Sequence, residues 1–284
     1  MANGSITRRA ALAGSAAAVA GAAVAVERGA LPGRRWLPSS LGGGDVGGAK
    51  TVSGSFVSAS RRGRRCGYTI AYPTAAAERL PVVVVLHARG ANHRTAFTDL
   101  GLGRVLQSAR HRFALAAADG GDTYWHRRAS GEDSGAMVIR EFLPLLHGHG
   151  LDTGRIGLFG WSMGGFGTLS LAGVLGARRV AAATALSPAL WHRPEQTAAG
   201  AYDDPADFAA HDVFTHLPGL AGIGIRVDCG TADGFCPTAR DYLQLAQREL
   251  RPAPAGGFEP GGHTVAYWRQ AAPAQLAFLA GHLG

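Results

Sequence analysis

RIGLFGWSMGGFG, residues 155–167, is the stretch of this sequence that decides its fold. It begins as a short apolar pattern typical of a buried strand, and the residues after Ser162 favour a helix. Gly160 and Gly164 flank the serine, where small residues let a strand and a helix approach closely. A chain with 42 glycines could contain G-x-S-x-G by chance, but the flanking strand and helix patterns favour chemistry. Ser162 is therefore a candidate nucleophile on a sharp strand-to-helix turn.

An acid and a base must follow, because a serine hydroxyl is a weak nucleophile at neutral pH. Asp233 lies in the turn after a predicted strand over 223–229, whereas Asp228 lies within that strand. Functional side chains gather at the carboxyl edge of a parallel sheet, so Asp233 is the preferred acid and Asp228 its competitor. His263 lies in the loop ahead of the last predicted helix and is the candidate base.

The oxyanion formed on attack needs preorganised N–H donors. The residue after the nucleophile, Met163, supplies one of them. The second is expected from the loop 87–93, which follows the most strand-like run in the chain, residues 80–86. Neither a metal nor another cofactor is predicted, because the other histidines, including His126 and His211, lack the regular spacing of a zinc site.

The alternation of strand and helix patterns predicts an α/β fold with a mostly parallel sheet, covered on both faces and opened by an antiparallel hairpin. The segment 187–220 is long for a connection and is expected to form a small cap. Within it, Trp191 and Phe208 are expected to face the substrate, unless they only pack the cap onto the core. The patterns predict strands near 53–59, 67–72, 81–87, 113–118, 155–161, 180–186 and 223–229, and helices near 95–110, 135–147, 163–176, 238–250 and 265–281.

As a set, these motifs resemble the esterase family of α/β-hydrolases that includes esterase D (S-formylglutathione hydrolase), feruloyl esterases and the secreted mycolyltransferases of mycobacteria. The likeness covers about residues 55–284. It rests on the loop after residue 86, on residues 160–165, on Ser187-Pro188-Ala189, and on Gly262-His263 followed by Tyr267-Trp268.

The resemblance implies the α/β-hydrolase fold, with Ser162 as nucleophile, Asp233 as acid and His263 as base. It also implies that the backbone N–H groups of Arg89 and Met163 form the oxyanion hole. One departure is Ala88, at a position where a glycine usually follows the loop histidine directly.

The function expected from these residues is that of a serine carboxylesterase working through an acyl-enzyme on a small-molecule, lipid or glycan ester. One alternative is a mycolyltransferase-like acyltransferase, in which a sugar hydroxyl intercepts the acyl group. The other is a non-enzymatic cell-wall or lipid-binding protein on a hydrolase fold.

A second loop, residues 119–126, follows the fourth predicted strand at the same edge of the sheet. Asp119 or Asp122 is expected to bind substrate hydroxyls, and Trp125 to provide a stacking face. In the alternative interpretation Asp119 caps the turn and Trp125 fills the core.

Residues 1–25 carry Arg8-Arg9 before an alanine-rich apolar run, a pattern typical of a twin-arginine signal peptide. The sequence thus predicts export to the periplasm, cell wall or medium, with an uncleaved membrane anchor as the alternative. Residues 26–52 are rich in Gly, Pro and Ser and are predicted to form a tether, and residues 53–284 the catalytic domain.

The chain has 28 Lys and Arg against 20 Asp and Glu, a formal net charge of +8. The basic residues are scattered except at positions 61–65, which are predicted to form a solvated loop that anionic lipid or cell-wall polymer attracts. Nucleic-acid binding is not predicted, because neither aromatic interleaving nor a binding motif accompanies this cluster.

The sequence contains 3 cysteines, an odd number for an exported protein. Cys229 and Cys236 bracket Asp233, so a disulfide between them would brace the acid loop. Alternatively, Cys229 is an ordinary buried strand residue.

Overall fold

The computed structural model describes residues 48–73 and 79–283. The predicted signal peptide, residues 1–25, lies outside the described residues, as does the predicted tether up to residue 47. The first strand begins at Lys50, so the folded part includes the last residues assigned to the tether. Within the described segments, no helix is both long and apolar enough to span a bilayer.

A single eight-stranded sheet forms the centre of the described domain, in the order β1-β2-β4-β3-β5-β6-β7-β8. The opening strands β1 and β2 form the predicted antiparallel hairpin, and β2 also pairs antiparallel with β4. All other neighbours pair in parallel. The strands are β1 (Lys50–Ser58), β2 (Arg64–Tyr72), β3 (Pro81–Leu86), β4 (Ala114–Ala118), β5 (Asp152–Trp161), β6 (Val180–Leu186), β7 (Gly224–Asp228) and β8 (Ala255–Gly257).

Helices cover both faces of this sheet. They are α1 (Thr95–Thr98), α2 (Leu102–Ser108), α3 (Ser134–Met137), a π-helical turn (Val138–Phe142), α4 (Leu143–Gly148), α5 (Met163–Leu175), α6 (Pro205–His211), α7 (Cys236–Glu249) and α8 (Val265–Leu283), with short 3-10 turns at Pro194–Gln196 and Leu217–Leu220. The predicted helix 95–110 is divided, because Gly101 has a left-handed φ of 68° and a new helix begins after it, at Leu102.

The core lies in two layers, because side chains alternate along the buried central strands. In β3, Val82, Val84 and Leu86 pack against the side of the sheet that also holds α5 and α7. Val83 and Val85 pack on the opposite side, with α2 and α8. The predicted mostly parallel α/β sheet is thus confirmed.

The short edge strand β8 was not predicted, because its sequence is Ala-Gly-Gly within a Pro/Gly-rich segment that carries no apolar pattern. It nevertheless pairs with β7 from Arg226 to Asp228. This pairing brings the chain that precedes His263 alongside the chain that precedes Asp233.

The basic cluster 61–65 is exposed, as expected from the sequence, except at Arg61. The guanidinium of Arg61 is buried, where its Nε donates to Glu132 at 2.9 Å and one terminal nitrogen donates to the Asp119 carbonyl oxygen at 2.7 Å. Arg64 also pairs with Glu132, at 3.3 Å. Arg62 donates to the Ser130 carbonyl oxygen, so three of the four arginines join the β1–β2 turn to the loop after β4.

Candidate active site

Ser162 occupies the sharp turn between β5 and α5, with φ 55° and ψ −120°. The glycines on either side are required by the packing. A Cβ at Gly160 would lie 2.1 Å from the Gly164 carbonyl oxygen, and one at Gly164 would lie 1.9 Å from the Leu86 carbonyl oxygen. Only glycine therefore fits these two positions, and the half-buried Ser162 is presented at the carboxyl edge of the sheet.

The structure brings Ser162, His263 and Asp233 into one hydrogen-bonded chain. The Ser162 Oγ lies 2.9 Å from His263 Nε2, and Asp233 Oδ2 lies 2.8 Å from His263 Nδ1. With the proton assigned to Nδ1, the imidazole donates to the carboxylate and its Nε2 accepts the serine O–H. This is the geometry a general base needs to activate a hydroxyl nucleophile.

The Asp233 side chain is fully buried, yet its pKa is lowered. Burial alone raises this pKa, but the hydrogen bond and positive potential of His263, and the Phe235 N–H at 2.9 Å from Oδ1, outweigh burial. Asp233 therefore stays ionised against the imidazole. The competing acid, Asp228, instead forms an ion pair with Arg226 at 2.6 Å and accepts from Gln275.

The loops that carry Asp233 and His263 are joined backbone to backbone. The Thr231 N–H donates to the Glu259 carbonyl at 2.8 Å, and the Ala232 N–H donates to the Gly261 carbonyl at 2.8 Å. The approach is so close that a Cβ at Gly230 would lie 2.3 Å from the Gly261 oxygen. The separation of Asp233 from His263 is thus fixed by main-chain contacts.

The predicted oxyanion donors lie on two adjoining segments. Met163 is the first residue of α5, a position whose N–H has no partner within the helix. Arg89 follows β3 in the loop that begins where Leu86 and His87 meet the start of α5. The left-handed residue of this loop is Gly90, with φ 72°, and not Ala88, so an alanine is tolerated after His87.

Asp119 and Asp122, predicted to bind substrate hydroxyls, accept hydrogen bonds from the backbone of these loops. The two Asp119 carboxylate oxygens accept from the N–H groups of Gly67 at 3.0 Å and His93 at 2.8 Å. Asp122 accepts from the Gly90 N–H at 2.7 Å. The prediction for Asp119 is corrected accordingly, because its carboxylate is already used in positioning the loop that carries Arg89.

Trp125 does not offer a stacking face, because its side chain is 1% exposed. Its indole N–H donates to the His87 carbonyl at 3.2 Å, and its ring fills the space next to Gly120 and Gly167. The alternative interpretation, in which Trp125 fills the core, is the one that the structure supports.

Trp191 instead belongs to an aromatic wall formed by Tyr124, Trp191, Tyr202 and Phe235. The half-buried ring of Trp191 lies 5.8 Å from Tyr124, 6.2 Å from Tyr202 and 5.4 Å from Phe235, between ring centroids. Phe235 in turn lies 5.3 Å from the His263 ring. The wall therefore extends from Tyr202 to the His263 ring, and three of its members were not singled out from the sequence.

All three cysteines are buried free thiols, so the disulfide considered between Cys229 and Cys236 is not formed. Burial raises the pKa of the Cys229 thiol, and the nearby Asp233 carboxylate raises it further. Cys229 is thus the buried strand-end residue of the alternative interpretation and stays protonated beside the acid.

Neither a protein-family model nor a curated protein matches the sequence. Solved structures match in fold. A ferulic acid esterase superimposes with a TM-score of 0.71 at 18% identity, covering 83% of this chain and 99% of its own. An S-formylglutathione hydrolase from Agrobacterium tumefaciens has the same TM-score of 0.71 at 18% identity, covering 84% and 97% of the two chains. The chain has the α/β-hydrolase fold.

A further match to this hydrolase fold is FphF, a fluorophosphonate-binding serine hydrolase of Staphylococcus aureus. Its TM-score is 0.70 at 18% identity, with 82% of this chain and 98% of that chain covered. At this identity the likeness is one of fold. The chemistry of the present α/β-hydrolase domain follows from its own residues.

Proposed function

We propose that this chain is a serine esterase that hydrolyses carboxylic esters through an acyl-enzyme. The observation that carries the proposal is the unbroken Ser162–His263–Asp233 chain, with contacts of 2.9 and 2.8 Å. His263 Nε2 takes the Ser162 proton as Oγ attacks the ester carbonyl carbon, and Asp233 stabilises the imidazolium that forms. The tetrahedral intermediate then collapses, and the alcohol leaves with the proton from His263.

The N–H groups of Met163 and Arg89 are proposed to bind the oxyanion of that intermediate. A water molecule, deprotonated by His263, then attacks the acyl carbon, releases the acid and regenerates Ser162. The aromatic wall beside His263 supports an ester with an apolar or aromatic group, since such rings contribute apolar contact area around a reacting centre. The proposal also agrees with the esterases among the matched structures.

Covalent labelling tests the nucleophile directly. A fluorophosphonate probe is expected to label the wild-type chain at Ser162 and to leave Ser162→Ala unlabelled, while Ser170→Ala, on the helix α5 that follows Ser162, keeps the label. Hydrolysis of short p-nitrophenyl esters by Ser162→Ala is expected to fall by at least about 10³-fold. Labelling at another residue, or an active Ser162→Ala, would refute the proposal.

Product analysis distinguishes hydrolysis from transfer. With trehalose present, the free acid is expected to remain the main product. Acyl transfer to the sugar that keeps pace with hydrolysis would replace the esterase proposal by the acyltransferase alternative.

A further inference from the structure

A second cluster of chemically active side chains includes none of Ser162, His263 and Asp233 and lies where the loop after β4 meets α6, in the segment 187–220 that was expected to form a cap. His126 comes from the loop, and Asp207 and His211 come from the helix. One nitrogen of each imidazole and one carboxylate oxygen all lie within 4.8 Å of one another. A zinc site was not expected from the sequence, because the histidines are irregularly spaced along the chain. The folded chain nevertheless brings the loop after β4 and the helix α6 together at these three residues.

Carboxylate and backbone carbonyl oxygens face the imidazole nitrogens of the cluster. Asp207 Oδ1 lies 3.6 Å from His126 Nδ1 and 3.0 Å from His211 Nδ1. The backbone oxygen of Arg127 lies 3.0 Å from His126 Nδ1, and that of Asp207 lies 2.9 Å from His211 Nδ1. We assign the His126 proton to Nε2, which donates to the Ala201 carbonyl at 3.1 Å. The Nδ1 lone pair of His126 then faces oxygen atoms without a proton between them.

We propose that His126, Asp207 and His211 bind a divalent transition-metal ion, with Zn²⁺ as the best match. Imidazole nitrogens and a carboxylate oxygen are zinc's usual ligands, at about 2.0–2.2 Å. Two such ligands around a tetrahedral ion are roughly 3.4 Å apart. The 3.0 and 3.6 Å separations in this cluster bracket that spacing. A water molecule would complete the coordination on the side of His211, whose side chain is 26% exposed.

Surrounding groups orient the proposed ligands. Asp207 Oδ2 accepts from the Asp203 N–H at 2.8 Å, which turns Oδ1 toward the two imidazoles. Arg128 holds Asp203 in an ion pair at 2.8 Å, and the Ala201 carbonyl holds His126. Ligating histidines commonly donate their other N–H to a carbonyl in this way.

The ion would fasten the cap to the body of the domain. The His126 ring stacks on Tyr202 at 5.3 Å, and Tyr202 belongs to the aromatic wall. The proposed role of the metal ion is therefore structural. Binding of the ion does not depend on Ser162 or on the esterase proposal.

Metal content of the full-length chain tests the site. After incubation with Zn²⁺ and dialysis, elemental analysis is expected to give about one zinc per chain, and excess Zn²⁺ to raise Tm by a few degrees in a manner that EDTA reverses. Mg²⁺ and Ca²⁺ at the same concentration are expected to leave Tm unchanged, because they prefer all-oxygen sites.

Variants locate the ion. Asp207→Asn and His211→Ala are each expected to lose the bound zinc and the Tm rise, and the more exposed His211 allows the test if the first variant folds poorly. His192→Ala removes an exposed cap imidazole outside the cluster and is expected to keep the zinc, as is Ser162→Ala. Zinc well below one per chain in wild type, or undiminished zinc in folded His211→Ala, would overturn the proposal.

Discussion

The tautomer of His263 depends on the atom that faces its Nδ1. The Asp233 carboxylate can only accept, so Nδ1 keeps the proton and Nε2 is left to accept from Ser162. In Asp233→Asn the amide N–H can face Nδ1 and stabilise the opposite tautomer, in which Nε2 carries the proton. We expect kcat for p-nitrophenyl ester hydrolysis to fall on the order of 10³- to 10⁴-fold with the fold retained.

Asp228→Asn is the matched control for that variant. Asp228 is also a buried acid near the end of β7, but it contacts Arg226 and Gln275 and not His263. Its replacement is expected to lower the free energy of unfolding, with kcat of the folded enzyme within a few-fold of wild type. Steady-state kinetics and urea unfolding of both variants check the pair; equal losses of kcat would contradict the assignment of Asp233.

The sequence was sufficient to locate those site residues whose place in the fold follows from their position in the chain. Ser162 and Asp233 each follow a strand pattern and sit beside a glycine or a turn that contains one, so the parallel topology puts them at one edge. His263 was placed by its position in a Gly-containing loop ahead of the last helix pattern. The direction of Trp125 could not be predicted, because it depends on backbone angles: Tyr124 and Trp125 both have positive φ, 54° and 59°. Arg61 was misplaced for a similar reason, since only the folded chain brings Glu132 to it.

At the scale of elements, the junction between β3 and α5 limits what the serine turn tolerates. In Gly164→Ala the new methyl group would meet the Leu86 carbonyl oxygen at 1.9 Å, and backbone atoms cannot move aside without separating the helix from the strand. We expect a loss of about 2–4 kcal/mol in the free energy of unfolding, measured by urea denaturation.

Gly173→Ala is the control within the same helix. A Cβ there has 3.9 Å to its nearest neighbour, the His216 carbonyl oxygen, so the methyl group fits. It is expected to stabilise the protein by roughly 0.5–1 kcal/mol through helix propensity. If Gly164→Ala and Gly173→Ala destabilised the protein to a similar extent, the loss would come from the packing of the helix in general and not from the close approach of Gly164 to β3.

The elements that the sequence did not predict are those without a pattern of their own. β8 forms because β7 offers an open edge to a Gly-Gly segment, and its residues contribute little apolar area. The helix α6 is short and starts at Asp204-Pro205, where the Asp204 side chain caps the Asp207 N–H. Such local signals mark a turn of helix, but they give no information about the side chains of other segments that will surround it. The cluster of His126, Asp207 and His211 could therefore not be predicted from the sequence.

For the whole molecule, buried histidines link stability to pH. His87 is 1% exposed and satisfied only as a neutral ring, because its Nε2 accepts from the Gly120 N–H at 2.9 Å while its Nδ1 donates to the Ala88 carbonyl at 2.8 Å. His93 is buried as well. Burial is the main cause that lowers the pKa of both rings below 6.5. Unfolding exposes them to water, where they take up protons more readily.

The unfolded state therefore binds more protons than the folded state between the ordinary histidine pKa, about 6.5, and the lowered values. Stability contributed by the neutral rings is fully present above about pH 7 and is lost as pH falls through 6.5. The loss is up to about 1.4 kcal/mol per pH unit for each histidine.

The urea concentration at the midpoint of unfolding, measured from pH 8 to 5.5, should show this decline. His87→Gln keeps one donor and one acceptor but does not titrate, so its decline should be shallower than that of wild type. A wild-type midpoint that stays constant down to pH 5.5 would contradict the neutral assignment of these rings.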